Sequence, residues 1–145
     1  MNATDLTGTY TYRSFHNRPE LVDDFNKLWF AQAELRLAVD SAGAISGELV
    51  FPAEPGTEPQ SMYITGKVSN SSPVTFTLTG KGQPDTSIAD YHYEYDGIVL
   101  RHWETGVNQR MTLAGTVLRA KDHGSGTAVA PAGKTASFLA VKRDA

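Results

Sequence analysis

The chain has no cysteine among its 145 residues. Disulfide bonds, thiolate nucleophiles and cysteine-ligated metals are therefore excluded, and a redox role would need a bound cofactor. Apolar runs are far shorter than the roughly 20 residues of a membrane-spanning helix. The opening MNATDLTG lacks the charged start and apolar stretch of a signal peptide. We expect a soluble, cytoplasmic chain without a membrane partner, with secretion as the alternative if a signal peptide has been removed.

The chain also lacks an excess of positive charge. Its 13 Lys and Arg against 16 Asp and Glu give a formal net charge of -3. No basic stripe is available to follow a phosphate backbone, so nucleic acid is not expected as a partner. A chain of this length suits one domain that buries about two thirds of its unfolded surface. We therefore expect a single domain over residues 1–145.

Alternation of apolar and polar residues is the strongest pattern present, and its period of two is typical of half-buried β-strands. It is cleanest in VTFTLTG at residues 74–80, and it also runs through residues 91–120, where tyrosines alternate with His92, Glu94 and Asp96. The pattern predicts eight strands, at residues 8–15, 31–40, 44–51, 61–69, 74–80, 135–142 and, within 91–120, on either side of a link at 101–108.

Residues 17–29 have a different pattern. Asn17 can cap a helix, Pro19 suits a first turn, and the acidic residues that follow favour the positive end of the helix dipole. The apolar residues then recur at helical spacing, at Leu21, Val22, Phe25, Leu28 and Trp29. This stretch predicts one short helix between strands one and two.

Consecutive strands joined by local connections predict an all-β antiparallel meander. Closure into an eight-stranded up-and-down barrel would remove both sheet edges, and its interior would be filled by side chains or just large enough for one small ligand. A sandwich of two four-stranded sheets is the alternative architecture, since it would bury the same faces.

The opening Gly8-Thr9-Tyr10 stands where lipocalins and avidins place a Gly-x-Trp on the first strand, with tyrosine here instead of tryptophan. The hairpin segments LTGK and LAGTV and the final ASFLAVKR also resemble the layout of these calycin barrels. The resemblance implies a barrel of ligand-binding type. It does not imply biotin binding, because the biotin contacts of avidins have no matching positions here. Cyclase and dirigent-type barrels have comparable strand counts, so an enzyme is equally compatible.

Loop lengths favour one end of the barrel as the site. Loops on alternate connections share a rim, and the longer loops all fall on one rim, at residues 16–30, 52–60, 81–90 and 121–134. Long loops over one end of a rigid barrel are where ligand sites usually lie. We expect a cavity that opens at this rim, with the helix at 19–29 as its lid.

Five tyrosines on apolar-facing parity predict a cavity wall that presents hydroxyl groups to a ligand. The candidate ligand-binding residues are Tyr10, Tyr12, Arg13, Trp29, Phe76, Tyr91, Tyr93, Tyr95, Met111 and Phe138. Arg13, like Arg119, could hold an acidic group in two-point fashion. Two alternatives remain open, namely a tyrosine-rich packed core and an outer face that pairs two copies of the chain.

Histidines also fall near the long-loop rim, at His16, His123 and His92. They could transfer protons, but no His-x-His or His-x-x-x-His pair is present, so we expect no metal site. Trp103 in the 101–108 link is predicted to plug the opposite end of the barrel. Neither a nucleophile elbow nor a phosphate-binding glycine pattern is present.

These observations favour a β-barrel that binds a small hydrophobic or aromatic molecule in a Tyr- and Phe-lined cavity. The alternative is a cofactor-independent enzyme of the same shape, an isomerase, cyclase or lyase, in which Tyr93 or His16 is the catalytic residue that moves a proton. A packed interaction module that forms a homodimer is the third hypothesis. None of the three requires a cofactor.

Overall fold

The computed structural model describes residues 1–100, 110–124 and 126–143. Within them the chain forms a closed antiparallel barrel in which each strand pairs with the next and the last pairs with the first. The strands are β1 (Gly8–His16), β2 (Phe30–Val39), β3 (Ala44–Val50), β4 (Ser61–Val68), β5 (Thr75–Gly82), β6 (His92–Val99), β7 (Thr112–Arg119) and β8 (Thr135–Lys142). The predicted up-and-down barrel is confirmed, and the sandwich alternative is wrong.

The alternation in the sequence is the alternation between the interior and the surface of the barrel. On β5, Phe76 and Leu78 are buried, whereas Thr75 and Thr77 are exposed. Full burial of such an apolar side chain contributes about 1.5–3 kcal/mol. The interior holds buried residues from all eight strands, among them Tyr10, Tyr12, Leu35, Leu49, Ile64, Phe76, Tyr95, Leu113 and Phe138.

The helix predicted at 19–29 is wrong. The only helical geometry there is a single 3₁₀ turn, Phe25–Lys27, in which the Asp24 side chain accepts a hydrogen bond from the backbone of Asn26. Helices this short are marginal in water unless an apolar face packs against the protein. That packing is missing, because Leu21 is fully exposed and Phe25 is 67% exposed. The mouth of the barrel therefore has no helical lid.

A 3₁₀ turn at Ala3–Leu6 fills the short-loop end of the barrel. The Leu6 side chain is completely buried, and the Tyr10 hydroxyl donates a hydrogen bond to the Leu6 carbonyl at 2.7 Å. The Tyr10 oxygen also lies 3.5 Å from the Met111 sulfur. The Leu6 side chain therefore packs into this end. The predicted plug, Trp103, lies outside the described residues.

The helical turns in the described ranges are all too short to cross a membrane.

Candidate functional site

A pocket of about 150 Å³ lies inside the long-loop end of the barrel. Its apolar wall comes from inward-facing residues of four strands, Ala33 of β2, Leu49 of β3, Met62 of β4 and Val117 of β7, together with tyrosines of β1 and β6. Its outer edge is polar and includes Ser14, His16, Gln32, Arg119 and Lys134. The pocket therefore has an aromatic and aliphatic floor below a hydrogen-bonding rim.

Three rings pack together at the floor. Tyr12 stacks on Phe138 at 5.6 Å between ring centroids, and Tyr95 meets the same Phe138 ring edge-on at 5.7 Å. Burial raises the pKa of Tyr12 to about 12, although the neighbouring Ser14 and Tyr95 hydroxyls oppose part of the rise. Burial also holds the pKa of Tyr95 well above its usual value. Both hydroxyls are therefore neutral near pH 7.

A chain of hydrogen bonds runs along the rim. Tyr93 and Arg119 are direct partners in the β6–β7 register, and Arg119 Nε donates to the Tyr93 hydroxyl at 3.2 Å. The same hydroxyl lies 3.0 Å from His123 Nε2. Because the guanidinium can only donate, the Tyr93 oxygen accepts from Arg119.

The surroundings of His123 shift its pKa downwards. Burial lowers its pKa and the positive charge of Arg119 lowers it further, while Asp90 opposes the shift. An imidazole within hydrogen-bond distance of a phenol can exchange a proton with it. The Tyr93–His123 pair is therefore chemically able to transfer a proton at the pocket edge.

The loop between β7 and β8 fixes the position of His123. Its backbone forms two hydrogen bonds with Ala130, of 3.0 and 2.7 Å, and the Tyr91 ring lies 4.1 Å from the imidazole. The Asp90 carboxylate accepts from the backbone of Gly124, and Asp122 accepts from Ala132. Both acidic residues thus hold this loop in place.

The structure gathers only some of the predicted site residues. Tyr12, Tyr93, Tyr95 and His16 all line the pocket. Phe76 and Phe138 lie beneath it, with their rings 6.3 Å apart. Tyr91 lies behind the rim, beside His123. The roles of these residues in binding or catalysis remain predictions.

Four predicted residues lie elsewhere. Tyr10 and Met111 contact each other at the short-loop end. Arg13 points outward, where its guanidinium lies over the Phe30 ring at 4.3 Å and donates to Gln32. Trp29 is 64% exposed beneath the guanidinium of Arg18, because the helix that would have turned it inward does not form. None of the four lines the pocket.

Sequence reasoning missed Ser14 and Lys134 as pocket residues. Ser14 shares the inward parity of Tyr10 and Tyr12, so its position could have been recognised. Lys134 directly precedes β8, at the rim where the long loops meet. The spacing of residues in the chain does not place it beside Arg119.

The described histidines do not gather into a metal site. Across the described ranges no group of three His, Asp or Glu side chains is close enough to hold a metal ion. His92 lies on the outer face, where its Nε2 is 2.7 Å from the Glu94 carboxylate.

A wider hollow of about 1490 Å³ lies at the short-loop end, between the N-terminal residues and the turns near 41–43 and 69–73. It is bordered by Leu100 and Arg110, on either side of residues 101–109, which lie outside the described residues. The candidate site is the smaller pocket, whose lining residues are all described.

Comparison of the chain with protein-family models, curated proteins and solved structures gave no match. The barrel itself is present, but the calycin relationship has no support beyond the layout of the strands.

Proposed function

We propose that this protein binds one small apolar or aromatic molecule in the long-loop pocket. The observation that carries the proposal is a space of about 150 Å³ above the rings of Tyr12 and Tyr95. An engineered apolar cavity of about this volume in another protein binds benzene. A ligand with one six-membered ring therefore fits, whereas a steroid or a long acyl chain does not.

The chemistry of the pocket gives such a ligand a preferred orientation. Its ring would lie on the aromatic floor, against Leu49, Met62 and Val117, and its polar group would face the rim. Small-molecule sites commonly combine an apolar lining with a few placed polar groups that set orientation. The buried Tyr12 hydroxyl is one such group, since its raised pKa keeps it a hydrogen-bond donor.

Filling the pocket tests the proposal. Ala136 is half-buried in the pocket wall, so Ala136→Leu should occupy part of the space and weaken binding of single-ring compounds at least tenfold in calorimetry. Ala38→Leu is the matched control, because Ala38 of β2 is exposed. Denaturation curves for both variants check that the fold is retained. Equal binding by Ala136→Leu and the control would exclude this pocket as the site.

The hydrogen-bonded pair of Tyr93 and His123 favours a second candidate function. In a cofactor-independent isomerase, cyclase or lyase, Tyr93 would give its proton to the substrate, and the phenolate, beside the Arg119 guanidinium and His123, would take back the proton that the substrate releases later in the reaction. The test is turnover of a bound compound by Tyr93→Phe. Loss of turnover with binding retained would support the enzyme, whereas unchanged turnover would exclude Tyr93 as the acid.

A further inference from the structure

We propose that the ligand of the long-loop pocket carries a carboxylate, which binds Arg119 and Lys134 at the rim while its ring lies on the floor. This inference rests on the proposed function and specifies its ligand class. The evidence comes from the charges around the pocket and from the way Arg119 is held.

The pocket lining is positive although the protein is not. The chain has more acidic than basic residues, yet the lining includes Arg119 and Lys134 and no Asp or Glu. Ion pairs among the described residues join Arg36 and Arg143 to Glu34, Arg36 to Glu48, and His92 to Glu94. Neither pocket cation belongs to them. An anionic group at the rim would therefore meet two positive charges that no described carboxylate neutralises.

The nearby acidic side chains are already engaged. Asp90 accepts a hydrogen bond from the Gly124 backbone at 3.1 Å, and Asp122 accepts one from Ala132 at 2.6 Å. Both stabilise the loop that carries His123, and neither lines the pocket. Among the described residues, neither of them forms an ion pair with Arg119 or Lys134.

Arg119 is held in position before any ligand arrives. Its Nε donates to the Tyr93 hydroxyl at 3.2 Å, and its Nη1 donates to the Pro131 carbonyl at 3.3 Å. These two contacts use part of the guanidinium and leave Nη2 to a ligand. The Arg119 backbone N–H donates to the Lys134 carbonyl at 2.8 Å, so the two residues lie opposite each other, and both line the pocket. A planar carboxylate is the acceptor that this arrangement suits.

The size of the pocket favours a carboxylate on a single ring. Because the volume is only about 150 Å³, one ring takes up most of the space, and the acidic group must be small and lie at the outer edge. The polar rim and apolar floor are on opposite sides, so a ring with one acidic substituent satisfies both. Benzoate is the simplest probe of this class, and benzamide is its neutral counterpart of nearly equal shape.

Calorimetry with the two probes tests the inference. The wild-type protein should bind benzoate at least tenfold more tightly than benzamide. Lys134→Gln and Arg119→Gln should each lower benzoate affinity severalfold and lower benzamide affinity by a smaller factor. Lys67→Gln is the matched control, since Lys67 is exposed on β4 and does not line the pocket. Lys134 is also exposed, so its substitution tests the charge without disturbing the barrel.

The outcomes separate the two proposals. Equal affinity for benzoate and benzamide would overturn the carboxylate and leave the binding pocket standing. No binding of either probe, or of other single-ring compounds, would overturn both. Inorganic phosphate that competes with benzoate at equal affinity would also overturn the inference, because the ring would then contribute nothing.

A second measurement reports where the carboxylate lies. The charge of Arg119 contributes to the lowered pKa of His123, so benzoate at Arg119 should raise that pKa, as followed by NMR titration of the imidazole. Benzamide should not. Tight benzoate binding that leaves His123 unmoved would place the carboxylate elsewhere and overturn the inference.

Discussion

The substitution Tyr93→Phe keeps the ring and removes both hydrogen bonds of the hydroxyl, to Arg119 Nε and to His123 Nε2. A net hydrogen bond contributes about 0.5–1.5 kcal/mol, and one to a charged group about 1.5–3 kcal/mol. Tyr93, Arg119 and His123 are all half-buried, so water replaces part of what is lost. We therefore expect the free energy of unfolding to fall by about 1–2 kcal/mol, measured by urea denaturation with an unchanged m-value.

The same variant should loosen the β7–β8 loop. The backbone amide protons of His123 and Ala130, which form the two hydrogen bonds between these residues, should exchange faster with deuterium, because the imidazole has lost its contact to the barrel. Tyr63→Phe is the control, since Tyr63 is 53% exposed on the outer face and its hydroxyl has no hydrogen-bond partner among the described residues. The control should stay within about 0.5 kcal/mol of wild type. If Tyr93→Phe also lowered the free energy of unfolding by less than about 0.5 kcal/mol, the hydrogen bonds of Tyr93 to Arg119 and His123 would have no stabilising role.

Three further predictions concern the core and the pH dependence. Phe138→Ala should lower the free energy of unfolding by about 3–5 kcal/mol in chemical denaturation, because it removes the ring on which Tyr12 and Tyr95 pack. The control Phe25→Ala, at an exposed site, should lower it by less than about 0.5 kcal/mol. Similar losses for the two variants would contradict the packing of Phe138. Because the pKa of His123 is lowered in the folded protein, the unfolded chain binds more protons than the folded one below about pH 6.5, and the free energy of unfolding should fall there as the pH decreases. His123→Gln should reduce the slope of the free energy of unfolding against pH. An unchanged slope would argue against the lowered pKa. The pKa of Tyr12 is raised to about 12, so its stabilising contribution should be complete below about pH 10 and be lost as the pH rises towards 12; Tyr12→Phe should make the alkaline unfolding profile flatter, and an equally steep profile would contradict a buried phenol.

The barrel could be predicted from the sequence because strand alternation is a local property. On β8 the prediction at 135–142 matches the structure at both ends, with Phe138 and Ala140 inside and Leu139 outside. Closure of the sheet into a barrel could be inferred from the number of strands and from the free-energy cost of leaving two sheet edges exposed. None of this needed knowledge of which residues meet across the barrel.

The helix prediction failed because periodicity alone does not stabilise a helix. Leu21, Phe25 and Trp29 have helical spacing, but all three side chains are exposed and bury no common apolar face against the barrel. The Phe25 ring instead packs near the Phe15 ring of β1, with 5.7 Å between the ring centroids. A helix as short as this one needs tertiary packing to form.

The pocket could be predicted only in part, because strand parity gives the face of a residue but not its depth in the barrel. Tyr10 and Tyr12 share the inward face, yet Tyr10 contacts Leu6 at one end and Tyr12 lines the pocket near the other. The partnership of Tyr93 with Arg119 depends on the β6–β7 register. That register is set by the whole sheet and not by either strand alone.

The turn at Ala3–Leu6, which is anchored by the buried Leu6, has a practical consequence for handling the protein. It holds the beginning of the chain against the end of β8, where the Lys142 ammonium donates to the Asp5 carbonyl at 3.0 Å. The long-loop mouth lies at the far side of the barrel. An affinity tag, a fluorescent fusion or attachment to a sensor chip through the first residues would therefore leave the mouth unobstructed, and screening on an immobilised sample is feasible.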